Sequence, residues 1–200
     1  TVTEEDMWGF TFWDKGECRE ALKGLRHDGI YTPASFQGSV IYPWTGGGAN
    51  WGGPAFDPTR GLMVVNTSRV MKISKMVTMA DADKDTSSDG FHYGPPEKMK
   101  GTPYAIKDSL FVSPWGAPCN KPPWGGLTAV DLAKGTILWD VPFGSIEEEL
   151  PIPLPWNLGM PNIGGPIITA SGLIFIAATM DRNFRAFDID TGDELWREKL

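Results

Sequence analysis

Histidine, cysteine and positive charge are all scarce in this 200-residue chain, and each shortage excludes something. The two histidines, His27 and His92, and the two cysteines, Cys18 and Cys119, form no CxxC or Cys/His cluster with zinc spacing. Two isolated histidines in poor contexts also give no basis for a Ser/His/Asp triad. Lys and Arg number 18 against 25 Asp and Glu, a formal net charge of −7. An acidic chain lacks the basic face that nucleic acid or anionic lipid requires. Long apolar runs are missing as well. The longest, Leu173–Ala178, falls far short of the roughly 20 residues of a spanning helix. The opening "TVTEEDMWGF" has no initiator Met, basic region or apolar core of a leader peptide, so the chain is expected to come from within a longer protein.

Glycine (24), proline (17) and tryptophan (9) are abundant instead. Disordered chains are poor in aromatics, so many Trp among many turn-formers point to a β-rich fold with flat side chains between layers. The length suits one domain, or two. The cysteine pair is compatible with a single disulfide or with two reduced thiols.

Residues 3–27 read as helical: Thr3 can cap a first turn of Glu4, Glu5 and Asp6. After a break near Thr11–Phe12, Asp14 can cap a second helix through Leu25, with Cys18, Ala21, Leu22 and Leu25 at helical spacing. From Ile30 the texture changes to short apolar runs such as "GSVIYPW" and "GLMVVN", read as strands, with "DPTRG" (57–61) as a hairpin signal. Residues 76–100 are polar and aperiodic, a long surface loop. Asp81, Asp83 and Asp85 imitate the start of a calcium loop, but no Gly follows at once and His92 stands where the closing Glu belongs. The acidic "SIEEELP" (145–151) reads as a solvated loop.

The chain also repeats itself. "AVDLAKGTILW" (129–139) and "AFDIDTGDELW" (186–196) share A-φ-D-x-x-x-G-x-x-φ-W, with Asp131 to Asp188 and Trp139 to Trp196 both 57 residues apart. A strand ending at Asp, a tight turn closed by Gly and a second strand ending in Trp make a β-hairpin. The preceding "GGPIITASGLIFIAATMDRNFRAFD" supplies further strands, so the unit has about four, the size of a propeller blade. Trp139 and Trp196 are expected to be largely buried between neighbouring sheets.

This repeat resembles the tryptophan-docking motif of quinoprotein dehydrogenases, which use pyrroloquinoline quinone (PQQ). "SPWGAPCNKPPWG", "GMPNIGGP" and "DMWGFTFWDKGECREALKGLRHDGIYTPAS" narrow the resemblance to the membrane-bound glucose/quinate/shikimate branch, over nearly all of the chain. It implies an all-β fold, part of an eight-bladed β-propeller with a short N-terminal helical insertion. It also implies PQQ in a central funnel beside calcium, an acidic base acting on a sugar or polyol hydroxyl, and electron transfer to ubiquinone. An N-terminal membrane anchor, absent from this chain, would hold the propeller on the periplasmic side of the bacterial inner membrane. In such a compartment a Cys18–Cys119 bond is favoured if their Cα atoms lie within about 7 Å. The family's catalytic Asp, calcium ligands and PQQ-contacting Lys belong to preceding segments, so no catalytic or metal residue is assigned here.

Cofactor contacts are sought in "TGGGANWGGPAFDP" (45–58). It carries no G-K-[ST], and Trp51 takes the last Gly position of G-x-G-x-x-G, so it is no phosphate loop. Glycines let a backbone approach something flat. Asn50 and Trp51 are read as facing PQQ, or as a turn Asn with a core Trp. Asn66 is read as ending the strand "GLMVV" with its amide toward the quinone, or as an ordinary turn residue. Ile163 is read as an apolar lid, or as plain core. A rival for the whole chain is a non-catalytic propeller scaffold of the outer-membrane assembly type.

Overall fold

The computed structural model describes residues 2–85, 95–146 and 157–200. The chain divides into two compact units, Thr1–Thr45 with Val70–Lys121, and Gly46–Arg69 with Pro122–Leu200.

The second unit holds two four-stranded antiparallel sheets. One contains, in spatial order, β2 (Ala55–Asp57), β3 (Leu62–Ser68), β7 (Gly125–Asp131) and β8 (Thr136–Pro142). The other runs β9 (Ile167–Ile168), β10 (Leu173–Ile176), β11 (Asn183–Asp188), β12 (Glu194–Lys199). The two repeats are the outer hairpins, with Ala129 opposite Trp139 and Ala186 opposite Trp196, each with a register shift just after the Ala. The strands run on past each Trp instead of ending there. In the turns, Asp131 Oδ1 accepts from Ala133 and Lys134 N–H, and Asp188 Oδ1 from Asp190 and Thr191 N–H. Asp57 does the same for Thr59 and Arg60, so "AFDPTRG" is a third copy of the A-φ-D-x-x-x-G turn, without the Trp. All four strands of the second sheet follow one another in sequence, as expected. The first blade is split: its inner pair precedes residues 70–121 and its outer pair follows them.

The sheets stack on a core of Leu62, Val64, Leu127, Ala129, Phe143, Ile174, Ile176, Phe187 and Ile189. Trp139, half-buried rather than largely buried as expected, packs against this core and donates from Nε1 to the Ile189 carbonyl at 2.8 Å. Its ring lies against Gly192, where a Cβ would sit 2.8 Å from two indole carbons. Trp196 is 45% exposed, contrary to expectation, because no further sheet follows β12 among the described residues for its indole to dock on.

The first unit holds one sheet, ordered β1 (Ser39–Ile41), β4 (Lys72–Thr78), β6 (Tyr104–Leu110), β5 (Glu97–Lys98). Residues 3–27 are not continuously helical: a 3₁₀ turn spans Glu4–Asp6 and α1 spans Phe12–Lys23. Thr11, not Asp14, caps α1, because its hydroxyl accepts the Asp14 N–H at 3.2 Å. The 76–100 stretch is also more ordered than its composition suggests. β4 continues to Thr78, α2 spans Met79–Ala82 and β5 returns at Glu97, while 86–94, with the His92 position, lie outside the described residues. Most of "SIEEELP" lies outside them too. Cys18 and Cys119 are bonded, with Cα atoms 5.4 Å apart. The bond pins α1 to a core of Met7, Leu22, Val40, Met71 and Phe111.

Two outcomes are expected. Unfolded, unreduced protein should show no free thiol, and Cys18→Ser with Cys119→Ser should lower stability by about 2–5 kcal/mol in urea titrations. Trp139→Ala should cost roughly 3–5 kcal/mol, and Trp196→Ala distinctly less in the same chain.

Candidate functional site

The turns at Asp57, Asp131 and Asp188 lie at one end of the stacked sheets; the loops 46–53, 142–145, 158–166 and 177–182 lie at the other. Two of these loops cross backbone to backbone. A Cβ on Gly52 would stand 2.1 Å from the Gly164 carbonyl carbon, and one on Gly165 would stand 2.3 Å from Gly52 O. Only glycine fits there, so the Gly-rich stretch serves first to admit another stretch of main chain.

Trp51 and Ile163 each immediately precede a glycine of this crossing, and both face solvent. Trp51 is 87% exposed and Ile163 49%, so neither is a core residue. Asn50 closes its own loop: Nδ2 donates to the Gly46 carbonyl, Oδ1 accepts Trp51 N–H at 2.6 Å, and its carbonyl accepts Gly53 N–H at 3.0 Å. Its amide thus makes one donor bond and one acceptor bond within the turn.

Asn66 neither ends its strand nor makes a turn. β3 continues through Ser68, Asn66 pairs with Leu127 across the sheet, and its side chain is buried. Its Nδ2 donates to Asn162 Oδ1 at 2.7 Å. Asn162, also buried, donates from Nδ2 to the carbonyls of Thr67 (3.0 Å) and Met160 (3.1 Å). Ser68 Oγ accepts Asn162 N–H and donates to the Asn162 carbonyl, both at 2.9 Å. Ile163 N–H then bonds the Ala178 carbonyl at 2.9 Å. Sequence reasoning missed Asn162 and Ser68. Their one signal was Asn162 standing directly before Ile163 in "GMPNIGGP".

A charged cluster lies beside this network. Asp181 Oδ1 accepts from Thr179 Oγ1 (2.6 Å), Asn183 N–H (3.1 Å) and Arg185 (3.0 Å); Oδ2 accepts Ser145 N–H (2.8 Å) and Arg185 (2.5 Å). Arg185, 1% exposed, also donates to Glu194 at 3.1 Å and lies 5.8 Å from the Phe143 ring centre. Burial alone would raise the Asp181 pKa. The hydrogen bonds from Arg185, Thr179 and Ser145 outweigh it and hold the carboxyl well below its ordinary value. Asp140, gripped by both Arg69 Nη atoms at 2.9 and 2.5 Å and by Thr128 at 2.7 Å, is likewise lowered against the opposing effect of burial.

Chemically, this end of the sheets offers an exposed indole and an exposed apolar side chain on two loops whose backbones touch at glycines. That suits stacking of a flat aromatic group, so Trp51 and Ile163 fit one face of a PQQ ring, while the buried Asn66 fits a supporting part. No cluster of three or more His, Cys, Asp or Glu suited to a metal ion occurs among the described residues.

The family model for the glucose/ethanol/alcohol dehydrogenase β-propeller domain, headed PQQ, matches residues 1–200. The quinate/shikimate dehydrogenase (quinone) of Acinetobacter baylyi is 39% identical over all of this chain and 26% of its own length. The quinoprotein glucose dehydrogenase of Escherichia coli is 36% identical over 98% of this chain and 26% of its own. The chain thus spans about a quarter of the length of these curated relatives. Among solved structures, a europium-containing methanol dehydrogenase superposes with a TM-score of 0.50 and 25% identity, covering 82% of this chain and 22% of its own.

The Asp181 cluster sets a pH dependence. A carboxyl held below its ordinary value near 3.8 contributes stability that is fully present above that pH and lost as pH falls below it. Asp181→Asn should lower stability at pH 7 by about 3–5 kcal/mol, since it breaks a buried ion pair, and should flatten the loss of stability below pH 4. Urea titrations from pH 7 to 3 on both proteins measure this.

Proposed function

This chain belongs to the PQQ β-propeller family of glucose, ethanol and alcohol dehydrogenases, and on that premise we propose that it forms part of the cofactor-binding wall of a sugar or polyol dehydrogenase. Glucose, quinate and shikimate are the substrates in view, because the similar proteins named above act on them. When bound, PQQ supplies the two-electron acceptor for the substrate C–H, with calcium polarising the quinone carbonyl. Trp51 supports the flat ring through stacking, and Ile163 excludes water from its edge. The crossed glycine backbones keep both at fixed height, and Asn66 and Asn162 hold the crossing from below. The single observation that carries this reading is the pair of outward-facing apolar side chains on the crossed loops of a family-matched propeller.

Ubiquinone as electron acceptor, an N-terminal membrane anchor and a place on the periplasmic side of the inner membrane belong to the same proposal. The Cys18–Cys119 bond supports an oxidising compartment. The dehydrogenase names of the relatives favour catalysis over a bare scaffold.

The test is reconstitution of the full-length gene product with PQQ and calcium, followed by absorbance and by dye reduction with glucose, quinate and shikimate. PQQ uptake and turnover on at least one substrate are expected, and a scaffold would show neither. Trp51→Ala should weaken PQQ binding at least tenfold; unchanged affinity would remove this wall from the cofactor site. The 200-residue chain by itself should give no turnover above the PQQ blank, because the acid–base and calcium groups are assigned to other segments.

A further inference from the structure

We propose that Asn162, with Ser68, is a positioning residue for the cofactor wall: without touching the ligand, it sets the height at which Ile163 and Trp51 stand. The inference rests on the reading that these two side chains face PQQ.

Asn162 is 3% exposed, so it offers the ligand almost no surface. Yet every polar group of this residue is engaged. Its side chain joins Asn66, Thr67 and Met160, and its main-chain N–H and carbonyl are both taken by the Ser68 hydroxyl. Four of these five bonds run to three successive residues at the end of β3, which fixes residue 162 to that strand at several points. Ile163 is the next residue, and its own N–H is held by Ala178. Gly164 and Gly165 follow and meet Gly52, the residue after Trp51. One unbroken run of short contacts therefore leads from the buried Asn162 to both exposed side chains. The loop on the Trp51 side is tied to the same strand end, because Ser68 N–H bonds the Gly48 carbonyl at 2.8 Å. A shift of residue 162 must move the glycine crossing, since a backbone-to-backbone contact has no side chain that can yield.

The roles of the two bond sets separate by substitution. Asn162→Ala removes the side-chain bonds and keeps those of the main chain. Ser68→Ala removes the main-chain clamp and keeps the amide bonds, and Ser68→Thr keeps the hydroxyl. In the full-length gene product, PQQ affinity is read by quenching of tryptophan fluorescence, thermal midpoint by calorimetry, and loop order by hydrogen exchange at the Ile163 amide. We expect Asn162→Ala and Ser68→Ala each to weaken PQQ binding about tenfold and to speed exchange at Ile163, with Ser68→Thr within about twofold of the parent. Should Asn162→Ala not fold, Ser68→Ala decides alone. PQQ affinity within twofold of the parent in the folded variants, with only the thermal midpoint lowered, would overturn the positioning role. Loss of affinity in Trp51→Ala alongside that result leaves the cofactor wall standing. Unchanged affinity in Trp51→Ala sinks the wall and this inference together.

Discussion

The second unit depends on one contact, the seating of the Trp139 indole on Gly192. Two β-sheets can stack in many registers if only apolar area is at stake, because the hydrophobic effect has no direction. The indole removes that freedom. Its N–H must find the Ile189 carbonyl, and its ring must find the one position in the opposing turn without a side chain. Once those are met, the core residues from Leu62 to Ile189 interdigitate in a single arrangement. Arg60 reinforces it from the inner hairpin, salt-bridged to Asp57 at 2.8 Å and 3.7 Å from Asp190 of the facing sheet. The loops at the far end inherit their positions from this alignment.

Hairpins were the most legible part of the sequence. Asp and Gly at fixed spacing in "AVDLAKGTILW" and "AFDIDTGDELW" act through local bonds, an Asp side chain accepting two turn amides and a Gly with positive φ, and local bonds leave a local pattern. The third turn, at Asp57, went unnoticed as a copy because its partner strand carries Val65 where the others carry Trp. The split of the first blade was not legible, since strand pairing across residues 70–121 depends on contacts far apart in sequence.

The candidate site was half legible for the same reason. Trp51 stood out as a large side chain among glycines, and Ile163 by its place directly before "GGP". What the glycines face was hidden: the partner of Gly52 is Gly164, more than a hundred residues away. Asn66 was marked for its amide, but that amide is committed to Asn162, and no reading of "MVVNTS" alone reveals a partner in "MPNIGG". Thr11 against Asp14 as the helix cap shows the opposite case, where two candidates three residues apart exchange roles because Thr11 is extended and Asp14 already helical.

The chain leaves the first blade after Arg69 and re-enters it at Pro122, and the Arg69 amide bonds the Trp124 carbonyl at 2.8 Å. The two roots of the excursion thus meet, through this bond and the β3–β7 pairing that begins at Ser68 and Gly125. An arm whose roots touch can grow or shrink at small entropic cost, on the order of 0.6 kcal/mol for each doubling of length. Insertions into that excursion therefore leave the blade's strand pairing, its tryptophan seat and the glycine crossing as they are.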